Sequence, residues 1–173
     1  SAFKAWSQQV QAEPLVSLIF AVKDASGKQV EKVEVGQTFW LEFRGDDLRS
    51  FGQGVFSAYL NLELANSVAA GESSAVAFDG TVEPGPGMTL IDASNAAEKI
   101  KPTSIWNLGV VSSGTDAPGG EPQLLLRVRV KAERVGGVTF NSFASQNAAE
   151  EIVVFGSTAP VAENQTRRGT ASL

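Results

Sequence analysis

The 173-residue chain contains no cysteine and no histidine. Without cysteine there is no disulfide framework, no thiolate metal site and no thiol nucleophile. Without histidine the commonest general base and transition-metal ligand is missing, and Ser-His-Asp and Cys-His catalysis are excluded. Basic charge is scarce as well: 14 Lys and Arg stand against 19 Asp and Glu, for a net charge of −5 and a pI near 4.8. That balance disfavours nucleic acid, whose phosphates require clustered cations. No apolar run approaches the ~20 residues that span a bilayer as a helix, and no N-terminal stretch reads as a signal peptide. Paired-carboxylate or Ser-Lys chemistry would remain open to an enzyme, but no motif for either is found. The chain is expected to be non-catalytic.

What is present is an ordinary globular composition, 43% apolar and 19% charged, at single-domain length. Such a length can bury a core without disulfides or metals. Residues 1–13, SAFKAWSQQVQAE, read as an N-terminal arm carrying Phe3 and Trp6 and closed by Pro14. Residues 14–173 read as one domain of short extended segments divided by turn residues. Leu15–Lys23 is β-rich, and Asp24–Lys28 (DASGK) supplies a turn. Thr38–Arg44 alternates Phe39, Leu41 and Phe43 against Trp40, Glu42 and Arg44, the period of a half-buried strand. Gly45–Gly54 reads as a polar loop feeding the strand GVFSAYLNLEL.

Further along, Ala75–Phe78 and Met88–Asp92 are short strand candidates, and Gly80–Gly87 (GTVEPGPG) reads as too turn-rich for a regular element. Ser94–Lys101 is the one helical stretch, with Ser as cap and Pro102 as terminator. Ile105–Val111, Gln123–Lys131, Val138–Phe143, Ile152–Phe155 and Arg168–Leu173 complete about nine strands. Gln123–Lys131 sets Leu124, Leu126, Val128 and Val130 against Arg127, Arg129 and Lys131. The pattern predicts an all-β protein: an antiparallel β-sandwich with one short helix.

Three stretches together carry a family likeness: FGQGVFSAYLNLEL, QLLLRVRVKAERVGGVTF and the closing RRGTASL. In order and spacing they resemble cohesin-like domains over residues 15–173, in particular the divergent branch of large bacterial extracellular proteins that also carry dockerin segments. The resemblance implies a nine-stranded sandwich of jelly-roll topology, related to certain carbohydrate-binding modules. It also implies an extracellular or cell-surface setting in bacteria. Cohesins receive the helical dockerin on a sheet face that includes the third strand. GVFSAYLNLEL would be that strand, with Ile105–Val111 and Val138–Phe143 in the same sheet and Thr38–Arg44 and Gln123–Lys131 in the other. Two departures stand out. Ser57 and Tyr59 replace the Asn and acidic residue that cohesins often present there, and Leu64 and Ala65 replace a Tyr-Asp pair.

Within GVFSAYLNLEL, Phe56, Ala58, Leu60, Leu62 and Leu64 form one set, and Val55, Ser57, Tyr59, Asn61 and Glu63 the other. The second set is expected to face outward as a partner-binding surface for a dockerin-like or other protein, anchored by Tyr59. A plain solvated face is the competing reading. Trp6, Trp40 and Trp106 raise polysaccharide binding as the alternative function, and a structural spacer domain as a third. These tryptophans lie far apart in the chain, and Trp106 shares its period with Leu108 and Val110, the pattern of core packing. Arg127, Arg129 and Lys131 read as a solvated stripe of cross-strand ion pairs, and the strand order implied by the resemblance makes Trp40 a neighbour for stacking. Calcium is the one metal the composition suits, through Asp24, Asp46, Asp47 or Asp92. None fits a DxDxDG loop, so no cofactor is expected. Gly52-Gln53-Gly54 precedes a strand and is no dinucleotide fingerprint, and Asn164-Gln165-Thr166 matches a glycosylation sequon.

Overall fold

A computed structural model describes residues 13–67, 71–114, 122–144 and 152–173. The expected N-terminal arm with Phe3 and Trp6 lies outside them. Among the described residues eleven strands form two sheets packed face to face. The first sheet contains β1 (Val16–Lys23), β2 (Thr38–Asp47), β4 (Val76–Pro84), β7 (Gln123–Ala132) and β10 (Thr166–Arg168), in the order β10-β1-β2-β7-β4. The second contains β3 (Val55–Ser67), β5 (Met88–Leu90), β6 (Ser104–Ser112), β8 (Gly137–Ser142) and β11 (Thr170–Ser172), in the order β11-β8-β3-β6-β5, with β9 (Val153–Val154) also paired to β3. The chain passes repeatedly from one sheet to the other, and all pairings but β1–β10 are antiparallel. The expected jelly-roll sandwich is the observed fold.

Alternation decides which side of each strand faces in. In β1, Val16, Leu18, Phe20 and Val22 are buried and their neighbours are not. Phe39, Leu41 and Phe43 of β2 and Val128 and Val130 of β7 meet them in a core shared with Leu60, Leu62, Leu108 and Phe140 of the second sheet. Phe39 and Phe78 pack their rings on Phe140, which ties the two layers together. Apolar burial of this kind is the main favourable term in folding.

The departures from expectation occur where strict alternation breaks. Gly80–Gly87 is not irregular throughout: β4 runs to Pro84 through a register shift between Phe78 and Val82, where Gly80 takes φ 88°. Four residue steps on β4 there face two on β7, so two extra residues are absorbed in an irregularity before pairing resumes. Gly45–Asp47 belongs to β2 instead of the loop, and a Cβ at Gly45 would stand 2.9 Å from Val55 Cγ2. In β7 a register shift opposite Phe43 and Arg44 buries Leu125 and leaves Leu124 only partly covered, which reverses the parity expected there. The helical stretch is a short 3-10 segment, Ala93–Lys99, that starts at Asp92 in the left-handed region with no side-chain cap, so Ser94 is not its cap. The closing segment divides at Gly169. β10 runs parallel to β1, and β11 then joins β8 in the other sheet, while the Gly169 amide donates to Leu18 O.

Candidate functional site

The outer face of the second sheet is where the sequence locates recognition, and β3 is its central strand. Tyr59 lies opposite Gly109 of β6, and its ring covers that glycine: a Cβ there would stand 2.6 Å from Tyr59 Cε1. The ring thus lies along the sheet and stays half-exposed. Ser57 pairs with Val111 on one side and Val153 on the other, and Glu63 is exposed beside Asn141 and Ser104.

Two members of the expected outward set face elsewhere. Val55 is fully buried, because a register shift between Val55 and Ser57 turns it inward and leaves Phe56 exposed in its place. Phe56 meets Phe155 edge-to-face at 5.3 Å. Asn61 has the outward parity of Tyr59 and Glu63 but is only 1% exposed. Trp106 and Phe143 flank β3 from its two sides, and their rings touch at 4.7 Å. They therefore close over Asn61. Beneath them Asn61 Oδ1 accepts the Asn107 amide at 2.9 Å, and Asn61 O accepts the Phe143 amide. Asn61 serves as a structural strut, and its side chain does not reach the surface.

Trp106 was expected in the core and is 37% exposed. The physical reason is Asn107, whose φ of 57° breaks the alternation of β6, so that Ile105 and Leu108 both turn inward. Trp106, Phe143, Phe56 and Phe155 were missed as members of this face. A period-two count would have reached Phe143 from Thr139 and Asn141, and Phe155 from Val153; Phe56 and Trp106 depend on irregularities that no periodic rule reports.

Charge separates this face from the opposite one. Glu63 is the only charged residue in the strands of the second sheet, whereas every strand of the first carries at least one. On the first sheet several of these charges engage one another across its outer face. Arg127 donates to Glu83 and lies 4.1 Å over the Trp40 ring, Arg129 pairs with Asp79, and Arg44 with Glu42. Burial works against ionising Asp79, but hydrogen bonds from the Thr81 amide and Arg129 hold it below its ordinary value. Two of the three residues of the basic stripe, Arg127 and Arg129, form the expected cross-strand ion pairs, and Lys131 is exposed at the end of the row.

The loop that leads into β3 is fixed by Asp47. Its carboxylate accepts from Arg49 Nε at 2.9 Å, from Arg49 Nη2 at 2.7 Å and from the Gly54 amide at 3.0 Å. Arg49 in turn donates to Phe155 O, tying this loop to the end of β9. Burial raises the carboxyl pKa, and the Arg49 and Gly54 hydrogen bonds outweigh it, so Asp47 remains ionised below the usual carboxylate range. Asp24 caps its own turn through Ser26 and Lys28, and Asp92 binds Asn95 and Lys99. Among the described residues no group of three or more acidic side chains is placed to hold a metal.

No protein-family model matches the sequence, and no curated protein does. Among solved structures the chain is similar to one in the crystal structure of a type II cohesin–X-dockerin complex from Acetivibrio cellulolyticus, an N-terminal interface mutant. The two share 13% identity with a TM-score of 0.42, over 91% of this chain and 98% of that one. That similarity is too distant to bear on what this chain binds. Among the described residues no helix is long and apolar enough to cross a membrane.

Proposed function

We propose that the chain is a non-catalytic recognition module that docks a protein partner on the outer face of its β3 sheet. One observation carries this reading. That face is nearly free of charge and bears Tyr59, Trp106, Phe56, Phe143 and Phe155, while the opposite face is closed by ion pairs. Aromatic side chains with few charges among them are the composition of interface cores, and Tyr and Trp are the commonest anchors. Tyr59 leads the set: it lies flat on Gly109, so little of its rotamer freedom is left to lose on binding. Ser57 and Glu63 supply polar contacts at its sides, and Val55 and Asn61 support the strand from within.

The sequence resemblance to cohesin-like domains supports the same face, and a dockerin-like segment is the partner class it suggests. An extracellular or cell-surface setting belongs to the proposal on the same ground. Polysaccharide binding is less well supported, because Trp40 is covered by Arg127 and Trp106 meets Phe143 at a 65° angle instead of forming a flat platform. The test is affinity capture with the chain and with its Tyr59→Glu variant. A protein retained by the former and lost by the latter supports the proposal. Equal retention by both contradicts this choice of face, and retention of glycan in place of protein contradicts the partner class.

A further inference from the structure

A second feature lies at the other end of the sandwich from the Asp47 loop. There the two sheets part and leave a pocket of about 210 Å³. Its apolar walls are Val33, Phe39, Val76, Ala132, Val138 and Leu173, drawn from both sheets and from the segment before β2. Phe39, Val76, Ala132 and Val138 are buried core residues, and Phe39 is braced by Phe140, so the floor is firm. An apolar cavity of about 150 Å³ is large enough to take up benzene, so this one has room for a chain of about six carbons.

Arg134, in the turn between β7 and β8, also lines the pocket. Its Nε is enclosed and has no hydrogen-bond partner. Glu72 lies 4.0 Å from Nη1, and both side chains are partly exposed. Glu31 and Lys32 at the rim offset one another, and Arg134 is the remaining charged side chain of the lining. An enclosed Nε–H without an acceptor, on an otherwise partly exposed guanidinium, is uncommon and calls for a physical reason. Val135, next to Arg134, is exposed and adds apolar surface on the same turn.

We propose that this pocket binds a short apolar carboxylate, with the chain against Phe39 and Val138 and the carboxylate accepting from Arg134. The inference is independent of the docking face. Hexanoate, titrated into the 173-residue chain, is expected to shift the amide resonances of Val33, Phe39, Ala132 and Val138. Hexanol, of equal length but uncharged, is expected to bind about tenfold more weakly, the effect of losing one charge-assisted hydrogen bond. Arg134→Gln should bring hexanoate down to the level of hexanol and leave hexanol unchanged. Val33→Trp, which fills the pocket from a partly covered wall, should abolish both while the thermal transition is retained. N-acetyl-leucine binding as well as hexanoate would identify the ligand source as a peptide C-terminus, and its failure would identify a free acid. Two results would overturn the proposal. One is the absence of shifts at those amides at about 10 mM hexanoate, weaker than any useful affinity. The other is equal binding of hexanoate and hexanol that Arg134→Gln does not alter.

Discussion

The two outer faces of this sandwich are built on the same pleat and finished in opposite ways. On the first sheet, β2, β4 and β7 set Arg127, Arg129 and Arg44 against Glu83, Asp79 and Glu42, and Trp40 lies beneath a guanidinium. These six charges already have partners, so a docking protein would have to displace them and desolvate both sides. On the second sheet aromatic rings rest on a strand whose one polar interior group, Asn61, is already satisfied. A partner there displaces water from apolar surface and breaks no ion pair. The contrast teaches that aromatic content alone does not make a binding face. Trp40 is as aromatic as Trp106, but its surroundings occupy it.

Substitutions that cross this contrast should sort by size. Tyr59→Ala should have the largest effect, a loss of about 2 kcal/mol or more in partner affinity by calorimetry, as for a central interface anchor. Folding stability should change far less than affinity, since the ring is half-exposed. Asn61→Ala should come next and should act on stability, lowering it by about 1–3 kcal/mol in urea titrations. The Asn107 amide would then lie under Trp106 and Phe143 without its acceptor.

A smaller effect is expected from pH. Asp47 titrates below its ordinary value in the folded chain, so its contribution is complete above the unfolded carboxyl pKa. It is lost as pH falls through the depressed folded value. Melting temperatures measured from neutral pH into the acid range should therefore fall less steeply in Asp47→Asn than in the parent chain. The smallest effect belongs to the first sheet. Arg129→Ala breaks a largely exposed pair and should cost about 1 kcal/mol or less in stability, with partner affinity unchanged.

Much of the fold was legible because its strands alternate. Phe39–Phe43 and Val128–Val130 were assigned to the right faces, the pairing of Arg127 and Arg129 was read from the same period, and Trp40 beside them followed from the strand order that the resemblance implied. The site was only half legible. Ser57, Tyr59 and Glu63 keep the period and lie outward, but Val55 and Trp106 stand next to irregularities that reverse it. A bulge depends on pairing between strands distant in sequence, so a local pattern carries no mark of it. Asn61 followed the period and was still misread. What buries it is the meeting of Trp106 and Phe143, contributed by strands on either side.

Amide hydrogen exchange, measured on the chain alone and with its captured protein partner, tests the docking face most directly. Added protection concentrated in β3, β6 and β8, with β2 and β7 unchanged, is the result this account predicts. Protection of β2 and β7 with β3 left as it was would contradict it.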